Sequence, residues 1–341
     1  MPIVRRRFVR RMPFRRRGRR IVSHRFTISR RRASVVRRAS VVRRRSTTIS
    51  RHRLSTLRRT HPHTPMVQQQ QRTIVCLDLG KYGRLGNQLF QIAAVIGLAK
   101  QLQCPYAFVP WSYSSYFSST LNTVRSNAPA ATISENGFQY NTTLVHRCRS
   151  VRSGLVNVHG YFQSERYFQH CSSLIKGVFQ LNGINKTFVE QSYHALLEHG
   201  KYPCSVSVHV RRGDYTSKSN VYVNLTGTYY QNAFNHIVQR LPSGRNTKLV
   251  ILCFSDDLAW CKHHVPTWFP GIAIKFVSLG KDILDLFLMS RCTHNIIANS
   301  SFSWWAAYLN PNPSKVIVAP NAWFSNGLST ADLYPPSWIK T

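Results

Sequence analysis

The chain is 341 residues long, with 47 Lys and Arg against 11 Asp and Glu and a formal net charge of +36. That length allows two domains of about 150 residues each, and no stretch approaches the ~18 consecutive apolar residues of a membrane-spanning helix. So large a charge invites a nucleic-acid-binding reading, but residues 1–72 hold 24 Arg with no Lys, Asp or Glu, and the other 23 basic residues face 11 acids, leaving +12 on the remainder.

Residues 1–72 read as a disordered tail and linker. RRASVV at 31–36 recurs at 37–42, followed by RRRS, and QQQQ occupies 68–71. Like charges repel, and no apolar periodicity offsets the ordering entropy. Such a leader either contacts RNA or an anionic membrane surface electrostatically, or is solvated with no specific partner. The RRAS repeats are candidate phosphate acceptors. The Arg-rich, acid-free composition resembles a transit peptide without its apolar periodicity.

TIVCLDL (73–79) has the β-branched content of a strand. It feeds a glycine-bearing loop, GKYGRLGNQ, and then a helix from about Asn87 to Gln103, in which Leu89, Ile92, Ala93, Ile96 and Ala99 give one buried face. Residues 111–150 are rich in Ser, Asn and Thr and read as irregular. GLVNVHGYF (154–162) is a strand with a polar end, followed by a helical SERYFQHCSSLI. From residue 205 the rhythm is regular. Strands SVSVHV (205–210), KLVILCF (248–254), AIKFVSL (273–279), HNIIA (294–298) and a last strand KVIVA (315–319) alternate with helices at 228–241, 256–264, 282–292 and 301–309. Five strands interleaved with helices predict a parallel, Rossmann-like α/β sheet with ligands at the carboxyl ends of its strands. HVRRGDY, FSDD and ANSSFS each straddle such an end, so all three should meet in one crevice.

The chemistry of those residues fits a diphosphate. Guanidinium offers planar, bidentate donors that stay charged when partly buried. Arg211 and Arg212 leave a strand on opposite faces, so one should touch phosphate and the other should be structural; the alternative is a local pair between Arg212 and Asp214. Ser300 and Ser301 precede a helix, where hydroxyls and free N–H groups gather at a positive dipole end, though a serine there also serves as a plain N-cap. Asp256 and Asp257 either accept from sugar hydroxyls or guanine or cap the next helix. His209 is a candidate base or a hydrogen-bonding support. The loop at 83–88 lacks the P-loop Lys-Ser pair and the dinucleotide spacing. No HxxxH, DxD or Cys/His cluster supplies a metal cage, and no GxSxG elbow is present. The eight cysteines (76, 104, 148, 171, 204, 253, 261, 292) form no CxxC pair, leaving buried thiols and disulfides both open. N-glycosylation triplets at Asn141, Asn185, Asn224 and Asn299 point weakly to a secretory route.

Five segments in order, GRLGNQLFQIA (83–93), GYFQSERYF (160–168), HVRRGDY (209–215), FSDDLAWC (254–261) and DLFLMSRCTHNIIANSSFSWWAAYLN (285–310), carry a resemblance over roughly 74–325. The chain resembles glycosyltransferase family 11, the alpha-1,2-fucosyltransferases. The resemblance implies a GT-B-like fold of two Rossmann-like α/β domains: an acceptor-side domain at 73–202 and a nucleotide-sugar-binding domain at 203–325, with a C-terminal extension at 326–341. It implies inverting transfer of L-fucose from GDP-fucose to the 2-hydroxyl of a galactose-terminated glycan, with no cofactor and no obligatory metal. His209, Arg211, Arg212 and Asp214 match the HxRRxD donor motif, its first arginine on the pyrophosphate. Asp256 matches the guanine- or ribose-contacting acid, Ser300 and Ser301 pyrophosphate donors, and Gly86, Asn87 and Gln88 an N-terminal loop near the interdomain cleft. Where related enzymes place a glutamate five residues after the motif aspartate, this chain has Ser219, so the candidate bases are Asp214 and then Glu165. The family implies a Golgi membrane or lumen, but an Arg-rich leader stands where the animal members carry an anchor, so a cytoplasmic location is the alternative. Two competing readings are a nucleic-acid- or membrane-binding protein acting through residues 1–72, and a transferase for another sugar or acceptor. The sequence leaves the oligomeric state open.

Overall fold

The computed structural model describes residues 71–125, 128–242 and 247–341. The expectations for the Arg-rich leader, its disorder and its polyanion contacts included, fall on residues outside these, apart from Gln71 and Arg72.

Arg72 already belongs to the first strand. β1 (Arg72–Cys76) leads through the glycine-bearing loop into α1 (Leu85–Leu102). Then come β2 (Tyr106–Phe108), β3 (Ala131–Ser134), α2 (Leu144–Ser150) and β4 (Gly154–His159). These four strands form one sheet in the order β2-β1-β4-β3, every pair parallel. The stretch expected to be irregular at 111–150 therefore holds a strand and a helix. Both are too short for a readable period: β3 buries only Ile133, and α2 has seven residues. The expected helix at 164–175 breaks into 3-10 turns at Glu165–Tyr167 and Gln169–Cys171 before α3 (Ser172–Val178). α4 (Gly183–Leu196), unread in the sequence, buries only Val189.

The second sheet begins at β5 (Cys204–Val210) and proceeds through α5 (Gly227–Val238), β6 (Leu249–Ser255), α6 (Leu258–Trp268), β7 (Ala273–Phe276), α7 (Asp282–Arg291), β8 (His294–Ile296), α8 (Ser301–Leu309) and β9 (Ile317–Ala319). A strand beyond the expected last one, β10 (Ile339–Lys340), pairs with β9 at the edge. The order is β10-β9-β8-β5-β6-β7, all parallel. Read from β7, this is the doubly wound order 3-2-1-4-5-6, in which the chain reverses direction between β5 and β8. Alternation along β6 sends Leu249, Ile251 and Cys253 into a core with α5 and α6, and Val250, Leu252 and Phe254 into the core shared with α7 and α8.

That second core is continuous with the first sheet. α1 was expected to bury one face, yet almost every residue from Leu85 to Ala99 is buried. It lies between β1 and α8, so both sides are covered. Phe90 sits 4.5 Å from Trp304 and 5.1 Å from Trp305, ring centre to ring centre, and Phe168 stacks on Trp305 at 5.6 Å. Gly86 makes the close approach possible: a Cβ there would stand 2.5 Å from Phe302 N. Two parallel α/β sheets braced through α1 and α8, with a crevice between them, constitute the expected GT-B-like arrangement. All eight cysteines are free thiols. Among the described residues no helix is long and apolar enough to cross a membrane.

Candidate active site

The cavity of interest, about 610 Å³, lies where both sheets reverse direction. From the second sheet come Arg211 and Asp214 after β5, Ser255 and Asp256 at the end of β6, Asp282 and Asp285 at the start of α7, and Ser300, Ser301 and Phe302 after β8. From the first come Lys81, Tyr82 and Arg84 after β1 and Tyr161 after β4, the two strands flanking its own reversal. Ligands bind doubly wound sheets outside the carboxyl ends of the strands at such points.

β5 sorts the paired arginines. Val206, Val208 and Val210 pack toward α5 and α6, so Ser205, Ser207 and His209 face α7 and α8, and Arg211 continues on their side. Arg211 is clamped by two carboxylates: Nη1 lies 2.7 Å from Asp256 Oδ2, and Nη2 donates to Asp214 Oδ1. Its guanidinium also sits 5.0 Å from the centre of the Tyr215 ring. Arg212 turns the other way. It stacks 3.6 Å over the Trp260 ring and pairs with Asp257 at 3.3 Å. Gly213 permits this turn, because a Cβ there would collide with the Asp256 carboxylate.

His209 is buried, and Nδ1 lies 2.9 Å from Ser303 Oγ. Burial, reinforced by Arg211, pushes its imidazole down to about 3, so the ring is neutral at any physiological pH. Ser300 is the N-cap residue of α8, but its side chain makes no capping bond. Among the described residues its hydroxyl has no protein partner, and the N–H groups of the first helical turn open beside it. Ser301 Oγ is committed, donating at 2.7 Å to Asn87 Oδ1, which also accepts from Gln163 Nε2 at 2.8 Å. Asp285 Oδ1 accepts from Leu279 N at 2.7 Å, and burial pushes its carboxyl up to about 6. Asp214 is pushed up by burial but pulled further down by Arg211 and Arg84, ending below the ordinary carboxylate value. Among the described residues no group of three or more His, Cys, Asp or Glu is placed to hold a metal ion.

Residues 46–341 match the family model described as glycosyl transferase family 11. The chain belongs to this family. It is 33% identical to an Escherichia coli alpha-1,2-colitosyltransferase over 192 residues, 55% of this chain and 63% of that protein. It is 28% identical to the Mus musculus galactoside 2-alpha-L-fucosyltransferase Sec1, over 75% of this chain and 71% of the relative. The match to the bacterial relative thus spans less than two thirds of that protein's length. A solved structure of an Arabidopsis thaliana FUT1 variant in complex with GDP superposes with a TM-score of 0.47 at 11% identity, covering 73% of this chain and 70% of that one.

Of the residues singled out from sequence, His209, Arg211, Asp214, Asp256, Ser300, Ser301 and Asn87 all line the cavity. Arg212 and Glu165 do not. Arg212 is spent on Trp260 and Asp257, and the pair with Asp214 that was the alternative for it is made by Arg211 instead. Glu165, at the start of a 3-10 turn, has Lys176 and Tyr308 as its electrostatic neighbours. Asp256 lines the cavity and also has structural partners: Oδ1 accepts from Arg212 N at 2.9 Å while Oδ2 holds Arg211. Asp257 realises the capping alternative, accepting from Trp260 N. Asn299 lies buried, its amide donating to Val223 O and Trp323 O, so that triplet is architecture and no glycan acceptor. Sequence reasoning missed Arg84, Asp285, Tyr82, Tyr161, Lys218 and Tyr222 as lining residues. Arg84, Tyr161 and Asp285 sit inside the quoted family segments, and it is the order of strands in the two sheets that brings residues of the first sheet to the same crevice.

Proposed function

We propose that this family 11 chain is an inverting glycosyltransferase moving L-fucose from GDP-fucose to the 2-hydroxyl of a β-galactoside. The observation that carries the reading is Arg211: a cavity-facing guanidinium at the reversal of a doubly wound sheet, oriented by two carboxylates and set beside the open N-terminus of α8. Breaking the sugar–phosphate bond builds oxocarbenium character on the sugar and negative charge on the departing diphosphate. Arg211, the Ser300 hydroxyl, the first N–H groups of α8 and neutral His209 act where that negative charge grows. Arg84, reaching from the first sheet, adds a cation to the same space. The role first given to Asp256 passes to Asp285, whose second oxygen has no partner among the described residues and suits the adjacent N1–H and N2–H donors of guanine.

The galactoside hydroxyl then attacks from the opposite face in a single displacement. Asp214 receives its proton. Held low by Arg211 and Arg84, it is a weak base, sufficient when the proton leaves only after the new C–O bond is well advanced. Support for the donor and linkage comes from the family and from the named specificities of the relatives, one fucosyl and one colitosyl. The second of these keeps open a second reading, a deoxyhexose donor other than fucose.

The test is Arg211→Ala, with Arg211→Lys as a milder companion, assayed for transfer from GDP-fucose to lactose with linkage analysis of the product. Removing one such donor costs about 10²–10³ in turnover. A folded alanine variant retaining more than about a tenth of the parent's turnover removes the phosphate role.

A further inference from the structure

Tyrosines from both sheets line the cavity: Tyr82, Tyr161, Tyr215 and Tyr222. Tyr161 follows β4 at the reversal of the first sheet, and Tyr222 comes from the loop after β5 on the other side of the crevice. Both are partly exposed to the cavity, and neither phenol hydroxyl has a protein partner among the described residues. They are neighbours. Burial pushes the Tyr222 phenol up, and the Tyr161 phenol and then Asp214 add to that cost.

Each ring is held in place by its surroundings. The Glu135 carboxylate accepts from Tyr161 N at 3.0 Å, from Phe162 N at 2.7 Å and from the Tyr167 hydroxyl at 2.8 Å. Phe162 has φ of +52°, a conformation rarely taken by a side-chain-bearing residue. The Tyr82 hydroxyl both donates to Gly160 O and accepts from Gly160 N, at 3.0 Å each. Opposite, Tyr222 stacks on Tyr215 at 4.0 Å and 8°, and Tyr215 in turn carries the Arg211 guanidinium. Two pre-positioned rings with uncommitted hydroxyls, one from each half, suit a ligand with an apolar face and hydroxyls around its edge. A β-galactopyranoside has both, its C3, C4 and C5 hydrogens forming one such face.

Resting on the function proposed above, we infer that Tyr161 and Tyr222 form the acceptor subsite and grip the galactoside between them, beside Asp214. The pair positions the acceptor and leaves the GDP contacts to Arg211, Ser300 and Asp285.

The full chain and its Tyr161→Ala, Tyr222→Ala, Tyr161→Phe and Tyr222→Phe variants are to be compared for transfer to lactose and, by calorimetry, for GDP affinity. The alanine variants should raise the KM for lactose about tenfold or more, equivalent to about 1.4 kcal/mol. kcat should fall by less than about threefold and GDP affinity stay within about twofold. The phenylalanine variants keep the ring and should raise that KM by a smaller factor; they decide the matter if an alanine variant fails to fold. A lactose KM within about twofold of the parent in every folded variant overturns the inference alone, as does a loss of GDP affinity in step with transfer. A parent that binds no GDP, or transfers to no β-galactoside, overturns the underlying reading and this inference with it.

Discussion

Arg211 and Asp256 meet at 2.7 Å across the carboxyl ends of two adjacent strands, β5 and β6. The same carboxylate accepts from Arg212 N at 2.9 Å. One side chain thus fixes both the direction of the phosphate-facing guanidinium and the turn that sends its neighbour away. Asp256→Asn preserves the bond to Arg212 N and loses the charge opposite Arg211. GDP affinity should fall about tenfold by calorimetry with thermal stability little changed, in line with the cost of about 1–3 kcal/mol for loosening a charged hydrogen bond. Unaltered GDP binding would show that Asp214 alone orients the arginine.

Asp285 sets a pH dependence. Burial raises its carboxyl from 3.8 to about 6, and in the proposed role the ionised form is the stronger acceptor for guanine. Affinity for GDP should be flat above pH 6 and weaken by up to about tenfold per pH unit below it. A raised carboxyl favours the folded apoprotein fully below 3.8, and that contribution is lost as pH climbs through about 6. The rise in Tm on adding GDP should therefore be larger at pH 7.5 than at pH 5. His209, pushed down to about 3, contributes no inflection near 6.5. Asp285→Asn should flatten the acid limb, and a limb surviving that change unaltered assigns it elsewhere.

Gly86 is a packing requirement. An alanine Cβ would stand 2.5 Å from the backbone of the first turn of α8. Gly86→Ala is expected to cost about 1–3 kcal/mol of stability as overpacking, and to weaken GDP binding by shifting Ser300 and Ser301. An unchanged Tm in thermal denaturation would mean that α1 and α8 can slide apart freely.

Transfer should survive EDTA. The charge of the departing diphosphate is met in this proposal by Arg211, Arg84 and the start of α8, so chelation followed by dialysis should leave turnover within about twofold. A strict requirement for added manganese would place a cation where these groups have been put.

Much of the second sheet was legible because its central strand β6 is buried on both faces and reads as a continuous apolar run, LVILCF, and the strands are separated by helices of readable length. The opposed directions of Arg211 and Arg212 followed from strand alternation alone. The first sheet was harder to read. β2 and β3 are three and four residues long, and α4 buries one side chain, so none carries a period above its surroundings. The carboxylates were hard to read for another reason. Asp214, Asp256 and Asp257 follow strand ends and Asp285 opens α7, and sequence shows that acids are present without showing which partners their oxygens take. Arg211 and the backbone of Arg212 both bind Asp256, a long-range outcome of how β5 lies beside β6.

The seam between Phe90 on α1 and Trp304 and Trp305 on α8 runs beneath the crevice. A hinge that parted the two sheets would have to expose these rings to water, a cost of several kcal/mol. The crevice floor is therefore welded, unlike jaws that gape for each cycle. Whatever occupies the crevice has to come and go over its rim rather than through a parted floor.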